Sequence, residues 1–197
     1  AAGPPAQAEI STRLWLRALA RLGIPRDQAQ VDLPAALREQ VRSHVMRDDK
    51  EITDGYERQA VITAGAYALG YAGLWDDSNA LLKANLARSH SPYYLMSQLG
   101  GNARKLGRHD EALSWYEQAW TKSEGPATRL QWGSSYLAAL IDLSPKAVQR
   151  IEKTASAMIA EAAKDAGAFE GRSVRALQRM SKKLEGWRIG GHEAATL

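Results

Sequence analysis

Glycine and proline punctuate the middle of this chain at regular intervals. Gly73 and Gly107 stand 34 residues apart, and the same shift sets Ala66 on Gly100, Trp75 on His109, Ser78 on Ala112, Leu82 on Tyr116 and Asn85 on Ala119. Those sizes suit a repeated pair of helices. Small residues sit where the two helices of a unit cross closely, and large ones fill the gap to the next unit. A glycine stops the first helix of each pair. Such a period confines the chain to short helices joined by tight turns, and every turn is short enough to make its neighbours antiparallel.

Start and stop signals extend the pattern in both directions. An amphipathic stretch runs from Glu9 to Leu22 and stops at Gly23-Ile24-Pro25. Leu33-Pro34 opens a second helix, with Leu37, Val41 and Val45 four apart on one face. Asp54 and Glu57 have capping-box spacing and start a helix to Ala72, with Gly73 as its stop. Asp76 or Asp77 is the expected cap of a helix ending near Arg88, and Ser91-Pro92 opens one that Gly107 closes. Asp110 falls in the first turn of the next, and Gly125-Pro126 ends that helix and begins its successor. Ser144-Pro145 is expected to start a long helix through Ala155, Met158 and Ala162, and a last helix runs from Phe169 to Trp187. The expectation is an all-α solenoid of antiparallel helix pairs, with about nine helices and no strand. Composition agrees: alanine occurs 34 times in 197 residues, valine and isoleucine together only 14 times. Residues 1–8 read as a linker-like segment, 9–189 as one helical domain with its clearest repeats at 59–91 and 92–125, and 190–197 as a frayed tail.

The stretch Tyr93 to Glu124 carries Leu99-Gly100, then Gly107-Arg108-His109-Asp110-Glu111-Ala112-Leu113, then Tyr116 and Ala119. It resembles the tetratricopeptide repeat (TPR), a family of helix–turn–helix units that serve as protein-interaction modules. The preceding unit, Gln59 to Ser89, keeps the spacing but has Ser78 and Asn85 in place of the two alanines, and the following unit is degenerate. The resemblance implies a concave groove lined by first helices. Its register puts Tyr67, Tyr71 and Tyr94 there, with Arg104, Lys105 and Gln131 at comparable positions. A tyrosine-lined, mildly basic groove suits an extended peptide or a partner domain. Repeats that clamp chaperone C-termini resemble one another in a set of lysines, asparagines and an arginine. The corresponding residues here are Thr63, Tyr67, Gln98, Thr128 and Trp132, so that clamp is absent.

Three phrases resemble a narrower group: Tyr56-Glu57-Arg58-Gln59-Ala60-Val61-Ile62, Arg88-Ser89-His90-Ser91-Pro92-Tyr93-Tyr94, and Gly125-Pro126-Ala127-Thr128-Arg129-Leu130-Gln131-Trp132-Gly133. They are similar to the helical C-terminal region of bacterial thioredoxin-family thiol-disulfide proteins. That resemblance implies a thioredoxin-fold domain upstream of Ala1, a periplasmic setting, and redox chemistry outside this chain, which contains no Cys-x-x-Cys. The proline-bearing start is consistent with a linker, and an absence of cysteine suits a module beside a redox site, where stray thiols invite mispairing.

Catalysis finds little support. With no cysteine there are no disulfides, thiol nucleophiles or iron–sulfur ligands. The histidines, His44, His90, His109 and His192, never lie three to five apart, so no metal site is expected and no cofactor is implied. No apolar run approaches the roughly 18 residues of a membrane span, and no membrane partner is expected. Ser89-His90-Ser91 puts a histidine between hydroxyls that point away from it, and Ser91 reads as a cap. Asp48-Asp49 and Asp76-Asp77 read as helix-boundary acids. Gly100-Gly101 lies inside a helix and follows no strand, which excludes a phosphate loop. Trp115, Tyr116 and Trp120 are expected in the core. The last helix sets Arg172, Arg175, Arg179, Lys182, Lys183 and Arg188 against Glu170 and Glu185, and its apolar face is Val174, Leu177, Met180, Leu184 and Trp187. That basic side makes nucleic acid the alternative partner, although no aromatic–basic binding motif accompanies it. The sequence therefore points to a non-catalytic interaction module, either attached to a redox domain or standing alone.

Overall fold

A computed structural model describes residues 33–164 and 166–190. The expected helix from Glu9 to Leu22, the linker-like start and the tail beyond Gly190 lie outside these residues. The described residues form eight α-helices and two short 3-10 turns, without a strand. They fall into two compact units, one ending at Arg108 and the other beginning at His109.

The first unit contains α1 (Ala35–Glu51), α2 (Gly55–Tyr71), α3 (Trp75–Asn85) and α4 (Pro92–Lys105). Asp54 caps α2 as its spacing requires: its carboxylate accepts from the Tyr56 and Glu57 amides at 3.0 and 3.1 Å. At the other end Gly73 takes φ +74°, and the Leu74 amide reaches back to the Leu69 carbonyl at 2.8 Å. Thirty-four residues later the same turn recurs, with Gly107 at φ +72° and Arg108 N–H to the Ala103 carbonyl at 2.9 Å. Both are Schellman stops, which need a residue free to enter the left-handed region.

The expected cap at Asp76 or Asp77 is corrected. α3 begins at Trp75, with Leu74 in the cap position and no side-chain cap. The Schellman turn feeds directly into the helix, where Ser78 N–H already bonds the Leu74 carbonyl at 3.0 Å. Both aspartates therefore sit in the first turn, still favoured by the helix dipole. Ser91 occupies the cap position of α4, but its side chain makes no cap bond. Ser89 Oγ instead accepts from the Ser91 amide at 3.1 Å.

α1 packs on α2, α2 on α3, α3 on α4, and α4 lies beside α2. Two glycines allow close approach. A Cβ on Gly65 would stand 2.8 Å from Val45 Cγ1, and one on Gly70 would stand 2.8 Å from the Trp75 ring. α2 and α4 run in the same direction, because Gln98 Nε2 donates to the Thr63 carbonyl at 3.2 Å while Lys105 reaches Tyr71 at the far ends. Leu69, Leu82, Leu95 and Leu99 are fully buried in this unit.

The second unit contains α5 (His109–Thr121), α6 (Pro126–Leu143), α7 (Val148–Ala162) and α8 (Gly171–Ile189). Gly125, at φ +80°, turns the chain into Pro126, whose missing amide hydrogen is no loss in a first turn. Ser144-Pro145 does not open α7, correcting the expected start. Pro145 occupies a turn closed by Ala147 N–H to the Ser144 carbonyl at 3.0 Å, and the helix begins at Val148. The last helix likewise begins at Gly171, after a 3-10 turn over Ala166–Phe169.

α6 is the hub. α5, α7 and α8 all pack against it, and Tyr136, Leu137 and Leu140 are fully buried with Ile151 and Met158. Each such side chain contributes roughly 1.5–3 kcal/mol of burial. α6 and α8 run in the same direction: Leu177 packs near Leu130, Lys183 binds Asp142, and Trp187 Nε1 donates to the Pro145 carbonyl at 2.9 Å. Trp120 is buried as expected. Trp115 and Tyr116 are only half-buried, Tyr116 lying against the margin of the core.

Candidate functional site

The residues expected to line a groove divide between the two units. Tyr67 and Tyr71 lie on α2, and Tyr94, Arg104 and Lys105 on α4, all in the first unit. Gln131 lies on α6 in the second, half-buried, with its carbonyl accepting from Ser134 and Ser135 Oγ. Within the first unit the side-by-side helices set a common level. Tyr71 and Lys105 share one end, where Lys105 Nζ stands 6.0 Å from the Tyr71 ring centroid and 5.6 Å from that of Trp75. Such contacts contribute about 0.5–1 kcal/mol at exposed sites. Tyr94 lies near the other end of α4, about 16 Å away along the axis at about 1.5 Å per residue.

Tyr67 and Tyr94 remain open. Tyr67 is 51% and Tyr94 42% exposed, large values for side chains of this size. Tyr94 leans on Tyr93 with ring centroids 5.1 Å apart. Partial burial, and then the neighbouring Tyr71, raise the Tyr67 hydroxyl above the ordinary tyrosine pKa. Arg104 and Lys105 are both exposed.

The same unit holds two buried polar clusters. Arg58, buried on α2, donates to the Asp49 carbonyl at 2.5 Å, to Asn85 Oδ1 at 2.6 Å, and also to the Ile52 carbonyl and the Asp49 carboxylate. Asn85 Nδ2 returns to the Leu81 carbonyl at 2.9 Å. Further along, Ser78 Oγ donates to the Ala66 carbonyl at 2.8 Å and accepts from Asn102 Nδ2 at 2.9 Å. Asn102 also reaches Asn79 Oδ1 at 3.0 Å. Ser78 and Asn85 are the two departures from the small-residue pattern, and each departure is matched by polar partners. That mismatch was the readable signal. Arg58, Gln59, Asn85, Arg88 and Ser89 also line a shallow pocket at the start of α2.

Other candidates resolve into structure. Ser89 Oγ donates to Gln59, while the His90 ring lies against Tyr56 with centroids 4.6 Å apart, so hydroxyl and imidazole serve different neighbours. Thr63 and Gln98, at clamp positions, are joined to each other. Asp77 accepts a forked bond from Arg42 at 3.0 and 3.1 Å. Gly100-Gly101 lies within α4. Among the described residues no three histidine, aspartate or glutamate side chains gather to hold a metal ion, and no helix is long and apolar enough to cross a membrane. In the second unit, Arg129 grips Glu161 through two bonds at 2.5 and 3.2 Å. Arg150 Nε donates to the Tyr136 hydroxyl at 2.7 Å and its Nη2 to Glu117 at 2.9 Å.

Antiparallel pairs with Schellman stops at the repeat spacing define a TPR-like fold. Among solved structures, the chain is similar to two of a candidate kinesin light chain of Podosopora anserina built of nearly identical TPR-like repeats, one of them a point-substituted form. Each aligns at a TM-score of 0.57 and 17% identity. The match to the substituted form covers 96% of both chains, and the other covers 95% of this chain and 96% of that one. No protein-family model matches the chain, and no curated protein matches it either. The thioredoxin-family resemblance is therefore unsupported by these comparisons, whereas the TPR-like one agrees with them.

Proposed function

We propose that the chain is a protein-interaction scaffold that holds an extended peptide along the face shared by α2 and α4, with Tyr67 and Tyr94 as its anchors. The exposure of these two tyrosines on adjacent first helices carries the reading. Tyr71 is engaged with Lys105, whereas Tyr67 and Tyr94 keep much of their surface in contact with solvent. Aromatic side chains of this kind supply contact area at low entropic cost and dominate interface energetics. Arg104 and Lys105 give one end of the face a positive charge.

Selection from a random peptide library against the full chain tests it. Enriched peptides should lose at least tenfold in affinity when Tyr67→Ala and Tyr94→Ala are combined, with helicity unchanged. Peptides indifferent to both substitutions would overturn the assignment of the face. A thioredoxin-fold domain before Ala1 and a periplasmic setting rest on the three sequence phrases and the absence of cysteine. The reading frame upstream of Ala1 tests that context: a Cys-x-x-Cys domain there supports it, and a frame without one leaves a stand-alone scaffold.

A further inference from the structure

We infer that the outward face of α8 docks an acidic polypeptide segment through Arg175, Arg179 and Lys182. The three are exposed, and they follow one another at spacings of four and three residues. At 3.6 residues per turn they lie within about 60° of one another around the helix, with axial steps of about 6 and 4.5 Å. The opposite face, with Ser173, Ala176, Met180 and Trp187, is buried. Gly186 follows on the same side with open space around it, and the exposed Glu185 borders the row, accepting from Ser181 Oγ at 3.2 Å.

A solvated outer face needs polarity, but it does not need one sign of charge. α1 shows the usual arrangement, in which Arg42 meets Glu39 at 2.6 Å and Asp77 at 3.0 Å. On α8, Lys183 is held by Asp142 in the same way. Arg175, Arg179 and Lys182 have no carboxylate partner among the described residues. Like charges three and four residues apart repel along a helix, and an anionic partner relieves that repulsion. Carboxylates one helical turn apart, or on alternate residues of a strand, recur at about 6–7 Å, which matches the Arg175 to Arg179 step. The planar guanidinium fork suits a carboxylate. No aromatic residue is exposed on this row to stack a base, so the observations favour a polypeptide over a nucleic acid.

The test uses the full chain and a fluorescein-labelled peptide with glutamate at every fourth position, beside its glutamine counterpart. The glutamate peptide should bind and the glutamine peptide should not. Binding should fall at least tenfold on raising NaCl from about 50 to 500 mM, and at least tenfold in the Arg175→Gln, Arg179→Gln, Lys182→Gln triple variant. Tyr67→Ala should leave it unchanged, which separates this face from the peptide groove. The single substitutions, each expected to weaken binding about two- to fivefold, keep the test decisive if circular dichroism shows the triple variant unfolded. Equal binding by the variants would overturn the inference. So would tighter binding of a 20-base-pair duplex or of phosphatidylserine vesicles than of the peptide, since the face would then belong to another polyanion.

Discussion

At the position where the first unit carries the buried hydroxyl of Ser78, the second carries the buried methyl of Ala112, 34 residues on; Asn85 is answered in the same way by Ala119. Around the polar pair lie two separate hydrogen-bonded clusters, Arg58 and Asp49 at Asn85, and Asn102 with Asn79 at Ser78. The second unit has instead a continuous apolar core about Tyr136, Leu137, Ile151 and Met158. One spacing thus accommodates two kinds of interior. Apolar contacts are many and individually weak, so such a core degrades in proportion to what is removed. A buried polar network holds only while every member is present, because any orphaned group bears its full desolvation cost.

Single substitutions should separate the two kinds. Leu137→Ala leaves a cavity around α6 and should cost about 2–5 kcal/mol, read from the urea unfolding midpoint. Arg58→Met strands Asp49 and Asn85 and should cost about 3 kcal/mol. The contrast lies in recovery. Adding Asp49→Leu and Asn85→Leu to Arg58→Met should restore part of the loss, since apolar replacement of a buried ionic cluster is often neutral or stabilising and Asp49 is only half-buried. If the triple variant stays as unstable as Arg58→Met, the network is not the closed unit inferred from its hydrogen bonds.

How much of this was readable beforehand depends on the range of the signal. Gly73 and Gly107 were legible because a left-handed helix stop is a local demand that few residues meet. Asp54 was legible because a cap needs only its next three residues. Pro145 misled because proline suits a turn as well as a first helical residue, and here the turn prevailed. Asp76 and Asp77 misled because the Schellman turn at Gly73 already supplies the start of α3. The repeat register put Tyr67 and Tyr94 on first helices, and both side chains are exposed there. Arg58 was invisible as a hub: its partners Asp49 and Asn85 lie 9 and 27 residues away and converge only once α1, α2 and α3 have packed.

In the second unit the polar tip of Tyr136 provides a pH probe. Burial first, and then the nearby Glu117 carboxylate, push its phenol up to about 12 against the lowering effect of Arg150. A folded pKa above the unfolded one means that the stabilisation is fully present below about pH 10 and is lost as pH rises from about 10 to 12, where the unfolded phenol ionises first. The loss is at most about 2.7 kcal/mol for a shift of about two pH units. Tyr136→Phe should flatten that alkaline decline in urea midpoints relative to the parent. An equal decline in both would show that the apolar core does not hold the phenol neutral.

The smallest effect probes the crossing itself. Ser78→Ala brings the first unit to the residue found at Ala112 and removes a hydroxyl that both donates to Ala66 and accepts from Asn102. Asn102 keeps its bond to Asn79 at 3.0 Å, so the amide is not wholly orphaned. The expected cost is therefore about 1 kcal/mol. A double-mutant cycle with Asn102→Ala isolates the shared bond, and contacting network members should be coupled by about 0.5–1 kcal/mol. Strict additivity would mean that Ser78 acts only through its size. Ser78 would then act as Ala112 does, as a small buried residue.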